Sequence, residues 1–196
     1  MQKSTALPLA ALLAATVLTA CSSGDDNHED SLKIFATTGY LADAAANLAP
    51  DADITTMVGP GGDPHTYQPT THDIETMKNA DLVLWNGLHL EAQMVDQLES
   101  LGEKQLAVGD QLDEQDLLPW PDQGKGGEQL YDPHIWNSPK LWSQAVESIG
   151  EKLGDIDSEH AADYSTAADD YESQIAAAHD KAEKELAAAK SRVLVT

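Results

Sequence analysis

Two copies of one tripeptide carry the residues of this chain best suited to chemistry. Asp63-Pro64-His65 lies within Gly59-Pro60-Gly61-Gly62-Asp63-Pro64-His65-Thr66-Tyr67-Gln68-Pro69-Thr70, and Asp132-Pro133-His134 lies within Tyr131-Asp132-Pro133-His134-Ile135-Trp136. With 21 Asp, 9 Pro and 7 His in 196 residues, one such tripeptide is expected about 0.03 times by chance, so its return points to a shared use. Proline fixes its own φ and drives the preceding residue into an extended conformation, so each imidazole leaves the backbone in a defined direction. A neutral imidazole is the commonest metal ligand, and a carboxylate or carbonyl on its other nitrogen sets its tautomer. His65 and His134 are therefore candidate metal ligands on two converging loops, with Asp63 and Asp132 as candidate partners behind them. The plainer alternative is a pair of proline turns that each happen to end in histidine.

Loops of this kind need a scaffold, and the flanking pattern alternates strand with helix. Leu32–Thr37 reads as a strand, and Gly39–Leu48 as an amphipathic helix with Tyr40, Leu41, Ala44, Ala45 and Leu48 on one side. Asp53–Val58 reads as a second strand running into the first Asp-Pro-His loop. A helix over Thr71–Ala80, a strand over Asp81–Asn86, a helix over Leu88–Leu101 and a strand over Gln105–Val108 follow. Such alternation predicts an α/β fold, a parallel sheet covered by helices, with ligands outside the carboxyl ends of the strands. His65 falls a few residues past such an end.

The segment Gly109–Tyr131 is long and polar, broken by Pro119-Trp120-Pro121 and Gly124–Gly127, and reads as a loop. Loops of that length are usually functional or disordered. Ser138-Pro139 is a helix start, a capping serine before proline at the first helical position. Trp136 and Trp142 beside it are expected to shield the site or fill the core. From Ser158 to Lys190, Tyr164, Ala168, Tyr171, Ile175, Ala178, Ala182, Leu186 and Ala189 form one stripe, which predicts a single helix about 50 Å long. His160 and His179 are expected on its surface. Arg192–Thr196 then begins a strand with nothing after it to cover it, so the sequence reads as truncated.

The amino terminus carries a targeting pattern. Lys3 precedes an apolar run from Ala6 to Ala20, the length of a signal sequence and too short to span a bilayer. Leu18-Thr19-Ala20-Cys21 looks like a bacterial lipobox, which makes Cys21, the only cysteine, the lipidation site. One cysteine also excludes an internal disulfide. Residues 22–31 hold no apolar side chain and read as a flexible tether. The net charge of −23 argues against nucleic acid as a partner and favours cations in a general way.

The chain resembles the zinc- and manganese-specific solute-binding lipoproteins of ABC transporters, the cluster A-I receptors. The resemblance covers Leu32–Thr196 and rests on Gly62–Thr70, Asn86-Gly87-Leu88-His89-Leu90-Glu91, Asp132–Trp136 and the long helix. It implies two α/β lobes joined by a rigid helix, with the metal held between them. Residues 32–157 would be the amino-terminal lobe, 158–190 the linking helix, and 191–196 the first strand of a carboxy-terminal lobe otherwise missing here. Residues 1–20 would be the signal peptide and 21–31 the lipidated cysteine and tether. His65 and His134 match the two ligands of the amino-terminal lobe, so the remaining two would lie beyond Thr196. His72 and His89 are expected to be structural or at the rim.

The implied function is capture of Mn2+ or Zn2+ outside the cytoplasmic membrane and delivery to an ABC permease and its ATPase. The receptor would be a monomer held to the membrane by its lipid, with no enzymatic activity. The absence of histidine from Gly109–Tyr131 tilts the choice towards manganese. Two other classes stay open. A metal-dependent hydrolase would need an open coordination position and a general base, but no His-Glu-x-x-His is present. A surface adhesin has no motif here to support it.

Overall fold

The computed structural model describes residues 31–190 except Lys125, Gly126 and Glu128. Four parallel strands, β1 (Lys33–Ala36), β2 (Asp53–Thr56), β3 (Leu82–Trp85) and β4 (Gln105–Ala107), form a sheet in the order β2-β1-β3-β4. Helix α1 (Gly39–Leu48) connects β1 to β2 across one face, and α2 (Thr71–Asn79) connects β2 to β3 across the other. The strand order therefore reverses between β1 and β3, the place where open α/β sheets leave a crevice at their carboxyl ends.

Successive strand residues point to opposite faces, and in the central strands β1 and β3 both faces are buried. Ile34, Ala36, Leu82 and Leu84 meet α1 and two later helices, α4 (Pro139–Ile156) and α5 (Ala161–Ala187). Phe35, Val83 and Trp85 meet Met77 of α2 together with Met94 and Leu98. Each fully buried side chain of this size contributes about 1.5–3 kcal/mol. In α1 the buried residues are Leu41, Ala44, Ala45 and Leu48, the stripe expected of it. Ser138 caps α4, its hydroxyl accepting from Leu141 N, and Pro139 is the first helical residue.

The structure corrects the sequence reading in three places. The helix expected over Leu88–Leu101 survives only as α3 (Val95–Glu99). Gly87, Leu88 and His89 have φ of 77°, 52° and 62°, and a left-handed run cannot open a right-handed helix. The segment Gly109–Tyr131 is no featureless loop. Val108, Leu112 and Leu117 anchor it in the core, and an antiparallel hairpin follows, β5 (Pro119–Gln123) and β6 (Gln129–Tyr131). This hairpin is a separate two-stranded sheet, and its pairing is irregular between Pro119 and Gln123, the stretch that holds Pro121.

The third correction concerns α5, which spans 27 residues and about 40 Å. Tyr164 and Ala168 are buried and Tyr171 and Ile175 half-buried, but every residue from Ala176 to Lys190 is exposed. Only the first half of the stripe is therefore used among the described residues. Tyr171 Oη donates to Asp43 Oδ2 at 2.7 Å and ties α5 to α1. Arg192–Thr196 and Cys21 lie outside the described residues.

Candidate metal centre

Both Asp-Pro-His loops sit at the carboxyl edge of the sheet. After β2 the chain keeps its pairing with β1 through Met57 N and Val58 N, then turns at Gly59–Gly62. Gly61 has a φ of 81°, and a Cβ on Gly62 would come 2.7 Å from Val58 Cγ1, so glycine is required at both. Asp63 closes the next turn, its Oδ1 accepting from His65 N at 3.0 Å and its Oδ2 from Thr66 Oγ1 at 3.1 Å. Its carboxylate is therefore engaged by the turn, holding the His65 backbone rather than the His65 ring. Thr70 and Asp73 then form a reciprocal capping box that starts α2. Burial would raise the Asp73 carboxyl, but bonds from Thr70 and Tyr67 outweigh it and hold the group below the usual range.

The second loop leaves β6 directly, with Asp132 N donating to Leu118 O at 2.8 Å. Asp132 Oδ1 accepts from His134 N at 3.0 Å and lies 2.6 Å from His134 Nδ1. Burial works to raise Asp132, but bonds from the His134 backbone N–H and ring outweigh it and hold the carboxyl lowered. A carboxylate can only accept, so Nδ1 carries the proton and Nε2 keeps its lone pair. That Nε2 lies 3.3 Å from His65 Nε2. Two imidazole nitrogens bound to one zinc ion, each at 2.0–2.1 Å, are separated by roughly 3–3.5 Å. Both histidines are half-buried, open enough for an ion to enter.

Residues that the sequence reading used only as markers of resemblance, or not at all, support this pair. The buried Glu91 accepts from Thr37 Oγ1 at 2.7 Å, Asn86 N at 2.8 Å and Gly87 N at 3.3 Å, tying the end of β1 to the end of β3. The left-handed run at Gly87–His89 is what turns Glu91 back under the strand ends. Burial pushes the Glu91 carboxyl up despite these donors. Asn86 Nδ2 then donates to Pro133 O at 2.9 Å and seats the second loop on β3. A glutamate next to Leu90, three residues before Met94, was the available signal for this brace. Positive φ at Leu88 and His89 left no such sign.

Aromatic rings surround His134. Trp136 meets it edge-on at 5.1 Å between centroids, and Trp120 of β5 lies at 6.3 Å. Tyr40 stacks on Trp136 at 4.1 Å, with Trp142 against its other side. Trp136 thus borders the site while Trp142 fills the core. His72, on α2, and His89 are exposed and stand outside the His65–His134 pair. Among the described residues no group of three or more His, Cys, Asp or Glu side chains is placed to hold one metal ion.

Known proteins are similar to this chain in sequence and in fold. The chain is 36% identical over 197 residues to the manganese-binding lipoprotein MntA of Bacillus subtilis strain 168, a match covering 97% of this chain and 63% of that protein. It is 38% identical over 121 residues to the zinc-binding protein TroA of Treponema pallidum, covering 61% of this chain and 38% of TroA. The solved structure of that periplasmic zinc-binding protein superposes with a TM-score of 0.66 at 32% identity, over 74% of this chain and 51% of that one. This chain therefore spans about half the length of these relatives. The sequence model of the ZnuA family, the periplasmic component A of zinc-uptake complexes, matches residues 34–196, and the chain belongs to that family.

Proposed function

We propose that this chain binds a divalent transition metal, manganese or zinc, through His65 and His134, and serves as the extracytoplasmic receptor of an ABC metal importer. The observation that carries this reading is the 3.3 Å separation of the two Nε2 atoms, one of them already freed by Asp132 at Nδ1. The metal is cargo, so the residues need only bind and release it. His134 enters with its tautomer set, and the proline before each histidine limits how far either ring strays. Asp132, the carboxylate nearest the pair, is committed to His134 and is not free to activate a metal-bound water, which supports a carrier over a hydrolase.

The relatives' names, a manganese-binding lipoprotein and a zinc-binding protein, support the metal class and a lipid-anchored receptor, and the family's place in a zinc-uptake complex supports delivery to a permease and ATPase. On this reading residues 1–20 are the signal peptide, Cys21 bears the lipid and residues 22–31 are the tether. Residues 32–157 form the metal-binding lobe, 158–190 the linking helix, and 191–196 the start of a further lobe that supplies the remaining ligands. The protein is expected to act as a monomer.

Calorimetry with Zn2+ and Mn2+ on the chain and its His65→Ala and His134→Ala variants tests the reading. Two nitrogen donors alone should bind zinc at one site, reversibly, and more tightly than manganese. Either substitution should remove the site. Zinc binding that survives both would mean that the ligands lie elsewhere, and tight manganese binding would require donors beyond this pair.

A further inference from the structure

Pro119-Trp120-Pro121 reads in the sequence only as a break in a polar segment, yet the structure brings its indole to the metal site. The approach to the hairpin is held firmly. Leu112 and Leu117 are buried, Lys140 Nζ pairs with Asp116 Oδ1 at 2.5 Å, and Tyr131 Oη donates to Glu114 Oε2 at 3.2 Å. Pairing of Pro119 with Tyr131, and the bond from Asp132 N to Leu118 O, fasten the root of the hairpin to the residue before Pro133. Pro121 restricts Trp120 to extended backbone, as Pro64 and Pro133 do for the aspartates before them. The half-buried indole lies 6.3 Å from the His134 ring at an angle of 42°.

The bond to Asp132 decides which nitrogen of His134 is protonated, but a single bond at one nitrogen still lets the ring pivot somewhat through χ1 and χ2. Trp136 limits that pivot from within the loop. Trp120 reaches the ring from a separate element. We propose that Trp120 is a positioning residue of the metal site, holding the His134 imidazole so that Nε2 stays turned to His65 and keeping water from that part of the ring. The inference rests on the reading of His65 and His134 as ligands of a divalent transition metal. A donor held in place before the ion arrives loses less freedom on binding, so the ion binds more tightly.

The test uses the full chain with Zn2+ as the probe, comparing Trp120→Ala, Trp120→Phe and His65→Ala. Trp120→Ala should weaken zinc binding roughly fivefold, the scale of one freed side chain. It should also move the His134 Hε1 resonance of the metal-free protein as the indole ring current is lost. Trp120→Phe, which keeps an aromatic plane, should return affinity to within about twofold of the parent. Wild-type affinity in Trp120→Ala, or equal weakening in both variants with the His134 resonance unmoved, would overturn the proposal. His65→Ala reports separately on the ligand assignment, since zinc binding indifferent to His65 would remove the pair itself. If Trp120→Ala fails to fold, Trp120→Phe together with the His134 resonance still decides the matter. A phenylalanine variant with parental stability but an unmoved resonance and fivefold weaker binding would refute positioning by an aromatic ring.

Discussion

Asp63 and Asp132 occupy the same place in two copies of one tripeptide, yet their carboxylates differ in use. The next residue decides which. Thr66 offers a hydroxyl that takes Asp63 Oδ2, whereas the residue after His134 is the buried Ile135, which offers none. Asp132 is thus left to the His134 ring. Loss of such a partner behind a metal-binding histidine typically costs 10–100-fold in affinity. We expect Asp132→Asn to weaken zinc binding by about tenfold or more, and Asp63→Asn by only about threefold, through a looser turn. Calorimetry on the two variants compares them directly, and equal losses would contradict the assigned difference. Glu91 is the other residue on which the site depends. Glu91→Ala would orphan the Thr37 hydroxyl and the N–H groups of Asn86 and Gly87, at a cost of about 2–4 kcal/mol in unfolding. Burial raises the Glu91 carboxyl when folded, so its contribution is greatest at low pH and is lost as pH rises through that raised value. Thermal melts from about pH 4 to about pH 8 should show Glu91→Gln gaining on the parent as pH increases.

At the scale of elements, the corner between α4 and α5 governs how the long helix leaves the lobe. Gly150 and Gly154 let the helices approach. A Cβ at Gly150 would lie 3.1 Å from Ala168 Cβ, and one at Gly154 3.2 Å from Ala161 Cβ. Polar bonds close the corner, with Tyr164 Oη donating to Asp157 Oδ2 at 2.8 Å and His160 Nδ1 lying 2.9 Å from the same oxygen. The Tyr164 bond first, then His160, holds Asp157 below its ordinary 3.8. Bonding to Asp157, then its charge with those of Glu159 and Asp163, raises His160 above its ordinary 6.5. The aspartate's contribution is present above 3.8 and lost as pH falls through its lowered value. The histidine's is fully present below 6.5 and lost as pH rises through its raised value. The corner should therefore be firmest between these limits. His160→Ala should remove the alkaline loss, read as a flatter melting-temperature profile above about pH 6.5. An unchanged profile would mean that solvent screens the exposed pair.

At the scale of the whole molecule, the net charge of −23 surrounds the proposed site of two imidazole donors. The charge draws cations towards the surface in a general way, and the imidazoles select among them. Anchoring belongs to this scale as well. Cys21 is the only thiol and stands at the end of the apolar leader. On the proposed reading of Cys21 as the lipidation site, Cys21→Ser should release the protein from the membrane fraction when cells are broken and separated, because the thiol that would carry the acyl chains is gone. Persistence in the membrane pellet would place the anchor elsewhere.

Residue types and spacing alone indicated the strand–helix alternation, the stripe of α1 and the first half of that of α5, the capping of α4, and the two Asp-Pro-His loops as one candidate site. All but the pairing of the two loops, 69 residues apart and inferred from the repeated tripeptide, are local, written in propensities that act within a few residues along the chain. Tertiary structure alone decided the rest. Leu88–Leu101 has helical composition, but Glu91 must turn back beneath β1 and β3, and that long-range bond overrides propensity at Leu88 and His89. The hairpin at Pro119–Tyr131 forms because its root is fixed by Leu112 and Leu117 in a core assembled from distant segments. The same reason hid Trp120, since the distance from an indole to an imidazole fourteen positions away depends on how the intervening chain folds and not on its composition.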